Sequence, residues 1–461
     1  MNAPVERPRY DRLKLRIGIV HLGIGAFARA HLAVATEAAI HASGDLRWGI
    51  SGVSLRHPDT RDALAPQRGM YTVAVRDGAG TRLQLIGCLR ELLVAPEDAE
   101  AVQERIAAED TRIVSLTVTE KGYVGDEAGS AMHTIVTGLA RRRARGGGPV
   151  TLLSLDNLAG NGDALRERVL ALARAHDAGL ADWIEAGCSF PNSMVDRIVP
   201  RTTDADRDAV AAALGERDAW PVMAEPFFDW AVEDRFAAGR PDWSAGGARF
   251  VAEARPWETL KLRMVNGAHS HIAYLGVVAG WRTVDAAIAH EPLARHVQAF
   301  WRDEVEPTLA PLPGFDVAAY RARLIERYRN PAIGHRTLQI AMDGSQKLPP
   351  RWIAPLAERI ARGAPIERYA LGVAAWLHFL RERDERGEPY PIDDPLAGAL
   401  GQRIEEAEAP GDDTARLRRL TGFAPVFGAL AAHPVLVAAV LPHWQSLRAR
   451  GVRGTLDTLP A

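Results

Sequence analysis

The chain has 461 residues, 47% hydrophobic and 25% charged, which is enough for two domains with large buried cores. Its 56 basic and 58 acidic side chains leave a formal charge of -2, too little field to gather nucleic acid or an anionic membrane surface. The only two cysteines, Cys88 and Cys188, write neither a disulfide framework nor a thiolate zinc site, and residues 1–15 lack the apolar run of an export signal, so a cytoplasmic protein with reduced, buried cysteines is expected.

The first strong pattern is a β-rich run over 16–22, followed at once by Gly23-Ile24-Gly25-Ala26-Phe27-Ala28 and a helical stretch over 29–41. In this G-x-G-x-x-A spacing Gly23 permits a tight turn, Gly25 lets backbone approach a pyrophosphate, and Ala28 allows close packing of helix on strand. The helix start adds N–H groups and a positive dipole end. Coenzyme contacts are expected from Gly23, Ile24, Gly25, Ala26, Phe27 and Arg29. A second strand follows over 48–55 and, after helical sequence, a third over 112–119. Where an acidic residue usually holds the ribose stand Ser54, Leu55 and Arg56, with Asp59 beyond. Arg56 suits a 2′-phosphate, adenine stacking or plain solvation, which leaves NAD and NADP both open. Strands over 150–155 and 197–199 alternate with helices over 162–175 and 204–214, predicting an α/β, Rossmann-like doubly wound domain.

From about residue 256 strand signals almost vanish and helical stretches dominate, over 260–278, 293–306, 317–328 and 366–383. The expected organisation is a dinucleotide-binding domain at 1–250 and a mostly α-helical substrate and catalytic domain at 251–461. The apolar run 423–441 has the length of a membrane span, but Pro425 and Pro434 would interrupt the helix, predicting a pair of short core helices.

The densest polar cluster lies at the head of this second half. On a continuous α-helix Glu258, Lys261, Asn266 and His269 fall within an arc of roughly 140°, so one face presents a carboxylate, an amine, an amide and an imidazole. An ion pair of Glu258 with Lys261 beside a satisfied histidine is the plainer alternative. Lysine is rare in this chain, occurring only at Lys14, Lys121, Lys261 and Lys347, and a desolvated ammonium can lose a proton near neutral pH where guanidinium cannot. His269 and His271 point from different helix faces, and no paired Cys/His spacing occurs, so no metal site is expected.

Two further motifs follow strands, Thr117-Val118-Thr119-Glu120-Lys121-Gly122-Tyr123 and Ser154-Leu155-Asp156-Asn157-Leu158-Ala159-Gly160-Asn161-Gly162; a third is Phe190-Pro191-Asn192-Ser193-Met194-Val195-Asp196-Arg197. Together with the glycine turn, Lys261-x-x-x-x-Asn266-x-x-His269 and Asp343-Gly344-Ser345-Gln346-Lys347, this order resembles the long-chain mannitol dehydrogenase family across essentially the whole chain. The resemblance implies a metal-free, NAD(H)-linked oxidation of a secondary alcohol. It gives Lys261 the role of general base, has Asn157 and Asn266 stabilise the alkoxide, sets Asp196, His269 and Lys347 around the substrate, and lets Glu120 and Glu258 relay or tune protons. Two departures stand out. Ala28 replaces a histidine common among relatives, and Gln339 replaces an arginine of mannitol-type members. Residues 330–349, with Arg336 and Lys347 flanking Gln339, are most similar to the fructuronate reductase branch, which implies interconversion of D-mannonate and D-fructuronate. The alternatives are oxidation of D-mannitol or another polyol, and a nucleotide-sensing protein without catalysis. The expected partner is a sugar acid or polyol, with no nucleic acid or membrane, and the protein is expected to be a monomer, a dimer being open.

Overall fold

A computed structural model describes residues 5–123 and 129–460, the side chains of Glu120 and Lys121 excepted. The chain divides into two compact units, Met1–Trp257 and Glu258–Ala461.

The strands of the first unit are β1 (Val5–Glu6), β2 (Ile17–Leu22), β3 (Gly49–Ser54), β4 (Tyr71–Asp77), β5 (Gly80–Ile86), β6 (Leu89–Val94), β7 (Ile113–Leu116), β8 (Thr151–Ser154), β9 (Ser193–Asp196), β10 (Val222–Ala224), β11 (Asp229–Glu233) and β12 (Ala248–Val251). Five of them form a parallel sheet in the order β6-β3-β2-β7-β8. Its strands are buried on both faces. Ile19, Ile50, Ile113 and Leu153 pack into one cluster, and the alternate residues Val20, Val53, Val114 and Leu152 into another, the period of two expected for a covered parallel sheet. The chain winds outward through β3 and β6, then returns to lay β7 on the other side of β2. Strand order therefore reverses between β2 and β7, where open α/β sheets form a crevice at their carboxyl ends.

Three local expectations change. No strand was expected between residues 55 and 112, yet β4, β5 and β6 lie there; β4 and β5 form an antiparallel hairpin closed by the pair Asp77 and Gly80 and join β1 and β10 in a four-stranded sheet. The strand expected over 197–199 lies earlier, at β9, in a three-stranded sheet with β11 and β12. Arg197 is buried, its guanidinium held by the carbonyls of Ala30 and Glu225, and the Ile198 N–H donates to the Glu225 carboxylate, so this backbone leaves the ladder. Finally, the helix expected over 29–41 breaks into Ala26–Ala30 and Leu32–Ser43 at His31, whose φ of -118° and ψ of -81° are non-helical. The His31 ring lies among Phe27, Phe228 and Trp230, with centroids 4.5 to 5.0 Å away, and this packing outweighs helical continuity.

The second unit is helical. The stretch expected as one helix over 260–278 is wound in two ways: Lys261–Asn266 forms a π-helix that runs into the α-helix Gly267–Val278. Further π-helices occupy Phe300–Val305 and Pro349–Ile353, while Val317–Tyr328 and Glu367–Phe379 are α-helices. The apolar tail folds as the short helix Ala424–Phe427 and the 24-residue helix Pro434–Asp457, bent by 118°, rather than as two short ones. The long member continues through Pro442 and kinks at Gly451, at φ 69°. Among the described residues no single helix is long and apolar enough to cross a membrane.

Candidate active site

In the first unit a groove of about 810 Å³ opens at the sheet's carboxyl ends. Its lining includes Gly23, Ile24 and Gly25 after β2, Ser54 to His57 and Asp59 after β3, Pro96 after β6, and Thr117, Val118, Thr119 and Gly122 after β7, with Trp220 beside them. The two glycines act differently. Gly23 has a φ of 94°, and a Cβ there would lie 2.2 Å from the Thr117 carbonyl oxygen, so no side chain fits the turn. At Gly25 the nearest heavy atom to a Cβ would be the Gly23 carbonyl oxygen at 3.9 Å. The protein itself does not require this glycine; it leaves open a face that a ligand can approach, and the groove fits a dinucleotide.

Of the residues expected to contact coenzyme, Gly23, Ile24, Gly25 and Arg56 line the groove. Arg29 is placed differently from that expectation: its guanidinium is buried, donates to the Trp220 carbonyl at 2.6 Å, and lies 5.2 Å over the Tyr71 ring. Burial lowers its pKa to about 10. Phe27 stacks on His31, and Ala26 opens the five-residue helix behind the turn. Pro96 and Trp220, which the sequence reading passed over, enter through loops beside the unexpected strands β6 and β10; Thr119 belongs to the motif expected after the strand over 112–119.

The polar motifs after β7 and β8 sort into framework and exposed groups. Asn161 is fully buried; its amide donates to the carbonyls of Asp156 at 3.0 Å and Ser193 at 2.8 Å, and its oxygen accepts the Ser193 N–H at 2.9 Å, tying β8 to β9. Asn192 accepts the N–H groups of Gly162 and Asp163 at 2.8 and 3.1 Å. Asp156 accepts from the backbone of Val118 and Thr119. Asn157, between these anchors, is exposed, and Asp196 is half-buried at the end of β9. Glu120 belongs to the short helix Glu120–Tyr123, but its side chain lies outside the described residues.

In the second unit the π-turn reshapes the polar face. It adds about one residue to the turn and rotates everything beyond it by roughly 100° relative to a continuous α-helix. Asn266 and His269 swing back toward Lys261, and the arc holding Glu258, Lys261, Asn266 and His269 narrows from roughly 140° to roughly 80°. Wide turns free backbone carbonyls, and here side chains meet them. The indole N–H of Trp301 donates to Met264 at 2.8 Å, the Tyr328 hydroxyl to Val265 at 3.1 Å, Arg351 to Asn266 at 3.3 Å, and the Trp352 indole to Gly267 at 3.1 Å. Lys261, Asn266 and Glu258 are half-buried and His269 is buried. The His269 ring lies 4.8 Å from that of Tyr328 and 5.5 Å, edge-on, from that of His335. Burial, with the cations of Arg327 and Lys347, lowers His335 to about 4, so it is neutral at physiological pH.

Lys347 is half-buried on the helix Gly344–Leu348; its ammonium reaches the Ile340 carbonyl at 3.3 Å and the Asp343 carboxylate at 3.6 Å. Burial and then the Arg351 charge lower its pKa. The cation is thus brought against the segment carrying Gln339, which with Arg336 is exposed. Among the described residues no group of three His, Cys, Asp or Glu side chains is placed to hold a metal ion.

Comparison with known proteins identifies the family. The profile of the mannitol dehydrogenase Rossmann domain matches residues 17–245, and that of the mannitol dehydrogenase C-terminal domain matches residues 253–448. The chain is 40% identical to D-mannonate oxidoreductase of Escherichia coli over 99% of both chains, and 38% identical to mannitol 2-dehydrogenase of Pyrenophora tritici-repentis over 88% of this chain and 76% of that one. Among solved structures it is similar to the Pseudomonas fluorescens mannitol 2-dehydrogenase ternary complex with NAD and D-mannitol, with a TM-score of 0.80, 36% identity, and coverage of 99% and 97% of the two chains. A substrate-free D-sorbitol dehydrogenase gives a TM-score of 0.90 at 32% identity, over 98% of this chain and 97% of that one. The chain belongs to the mannitol dehydrogenase family of oxidoreductases.

Proposed function

We propose that the protein interconverts D-mannonate and D-fructuronate with NAD as coenzyme, Lys261 serving as general base. The observation that carries this reading is the π-wound face itself, where an amine, an amide and an imidazole gather within a narrow arc of a pinned helix. Gly23, Ile24 and Gly25 would hold the coenzyme pyrophosphate and Ser54, Arg56 and Asp59 the adenosine ribose. When bound, NAD supplies the acceptor for hydride.

The chain's own groups manage the proton and the charge. The neutral Lys261 amine takes the carbinol O–H proton, a step typically worth about 10²- to 10⁴-fold in rate. The Asn266 amide donates to the oxygen as it becomes negative, at about 10²- to 10³-fold for one such donor, a role the family resemblance also gives Asn157. Glu258 and Glu120 pass the proton on, and Asp196 and His269 hold substrate hydroxyls. A uronate further requires a partner for its carboxylate in a partly desolvated setting. The half-buried Lys347 ammonium, with Arg336 near it in sequence, supplies positive charge where Gln339 has removed an arginine.

Steady-state kinetics test the substrate. With NAD, kcat/KM for D-mannonate should exceed that for D-mannitol by at least ~10²-fold, within reach of one charge-assisted pair and its lost partner. Equal oxidation of both would put the polyol reading in its place. Dinucleotide binding without turnover of either would leave a binding protein.

A further inference from the structure

Asp156 follows β8 with a side chain only 7% exposed, and the proposed chemistry does not use it. One of its oxygens accepts the N–H groups of Val118 and Thr119, each at 2.9 Å, and the other accepts the Tyr123 hydroxyl at 2.9 Å. All three donors belong to the segment after β7. An ordinary cap would serve its own helix; Asp156 instead reaches across to a neighbouring loop.

That loop is strained. Thr119 has a φ of 64°, a region that a β-branched residue rarely adopts and that persists only where the surroundings over-determine it. At the other end of the loop the Thr117 hydroxyl donates to the Gly23 carbonyl at 2.7 Å, pressing the segment against the glycine turn. Thr117, Val118, Thr119 and Gly122 all line the groove. Glu120 comes next after Thr119, and Asn157 next after Asp156.

We propose that Asp156 is a positioning residue. Its carboxylate holds the loop after β7 in the strained shape that forms one wall of the coenzyme groove, and it locks that wall to the backbone that carries Asn157. This deepens the reading of the groove as a dinucleotide site and rests on it.

The test compares wild type with Asp156→Ala, Asp156→Asn and the double variant Asp156→Ala/Thr119→Gly, measuring the NADH Kd by fluorescence, kcat and KM with D-mannonate, and Tm. Asp156→Ala should raise the NADH Kd and lower kcat by about tenfold or more each, with KM for D-mannonate moving less than about threefold. Asp156→Asn keeps an oxygen for both N–H groups and should stay within about threefold of wild type in Kd. Glycine carries no steric penalty at positive φ, so the double variant should recover part of the lost NADH affinity. Should Asp156→Ala not fold, Asp156→Ser, too short to span both N–H groups, takes its place. A lowered Tm with an unchanged NADH Kd would reduce Asp156 to a structural residue and overturn the proposal. Wild type that fails to bind NADH would instead overturn the reading beneath it.

Discussion

In the first unit the groove is built from a glycine turn and the loops at strand ends, and the unit's buried polar residues Asn161, Asn192 and Asp156 direct their hydrogen bonds to the chain itself. In the second unit one helix presents an amine, an amide and an imidazole, and the side chains of Trp301, Tyr328, Arg351 and Trp352 bond to that helix's backbone. The first arrangement suits a large ligand gripped along its length, since a turn and a helix start offer many weak donors whose positions the sheet fixes. The second suits proton transfer and charge stabilisation, which need a few groups held within a fraction of an ångström.

If labour is divided this way, variants in the two units should fail differently. Lys261→Ala should lower kcat by about 10²- to 10⁴-fold with NADH affinity unchanged, and Lys261→Arg should be nearly as damaging because guanidinium cannot accept the proton. Gly25→Val has no protein atom in its way nearer than 3.9 Å from the new Cβ. It should fold with a near-normal Tm yet weaken NADH by about tenfold or more, because its side chain occupies the face kept for the ligand. Comparable NADH loss in Lys261→Ala and Gly25→Val would break the division.

Lys347→Ala should act on selectivity. The ratio of kcat/KM for D-mannonate over D-mannitol should shrink about tenfold, mainly through mannonate, with NADH affinity constant. A fall shared equally by both substrates would assign Lys347 to general positioning. A smaller change is expected from Trp301→Phe, which keeps the ring but removes the donor to Met264. Leaving that carbonyl without its indole partner should cost about 1 to 3 kcal/mol of stability, and loosening the π-turn should lower kcat several-fold without moving NADH affinity.

The same contrast governs what could be read in advance. Requirements placed on backbone are written in residue types: Gly23 announces its turn because no other residue meets its steric demands, and Gly25 marks the face left open beside it. The hairpin of β4 and β5 was equally legible, since Asp77-Gly78 between alternating apolar runs is a turn signal, and passing over it lost β6 and the groove residue Pro96. The end of β9 was hidden for a different reason. Ile198 and Val199 look like strand residues, and only the distant carbonyls that bind Arg197 draw the backbone out of the ladder. The winding of 261–266 was beyond reach as well. Periodicity assumes 3.6 residues per turn, whereas the π-turn persists because Trp301, Tyr328, Arg351 and Trp352, 37 to 85 positions away along the chain, meet its carbonyls.

An effect on stability alone, set by pH, concerns Glu304, in the π-helix Phe300–Val305. Its carboxylate is buried and accepts the N–H groups of Arg368 at 2.7 Å and Tyr369 at 2.9 Å, at the start of the helix Glu367–Phe379. Burial raises its pKa to about 7, and those N–H groups with the charges of Arg359 and Arg368 oppose the rise without cancelling it. A carboxyl whose folded pKa lies above its unfolded value binds its proton more tightly in the native state. Its contribution is therefore complete below about pH 4.5 and is lost as pH rises toward 7. Glu304→Gln keeps an oxygen for the two N–H groups but cannot ionise. The stability of Glu304→Gln relative to wild type should therefore grow between pH 4.5 and 7 and level off above, by no more than about 3 kcal/mol. Urea denaturation of both proteins at pH 5 and pH 8 measures it, with His271 as an internal control of opposite sign. Burial lowers His271 to about 3, so its contribution is lost as pH falls below about 6.5, equally in both proteins. A stability difference independent of pH would mean that Glu304 stays ionised throughout, and that the two N–H groups and the nearby guanidinium charges outweigh its desolvation.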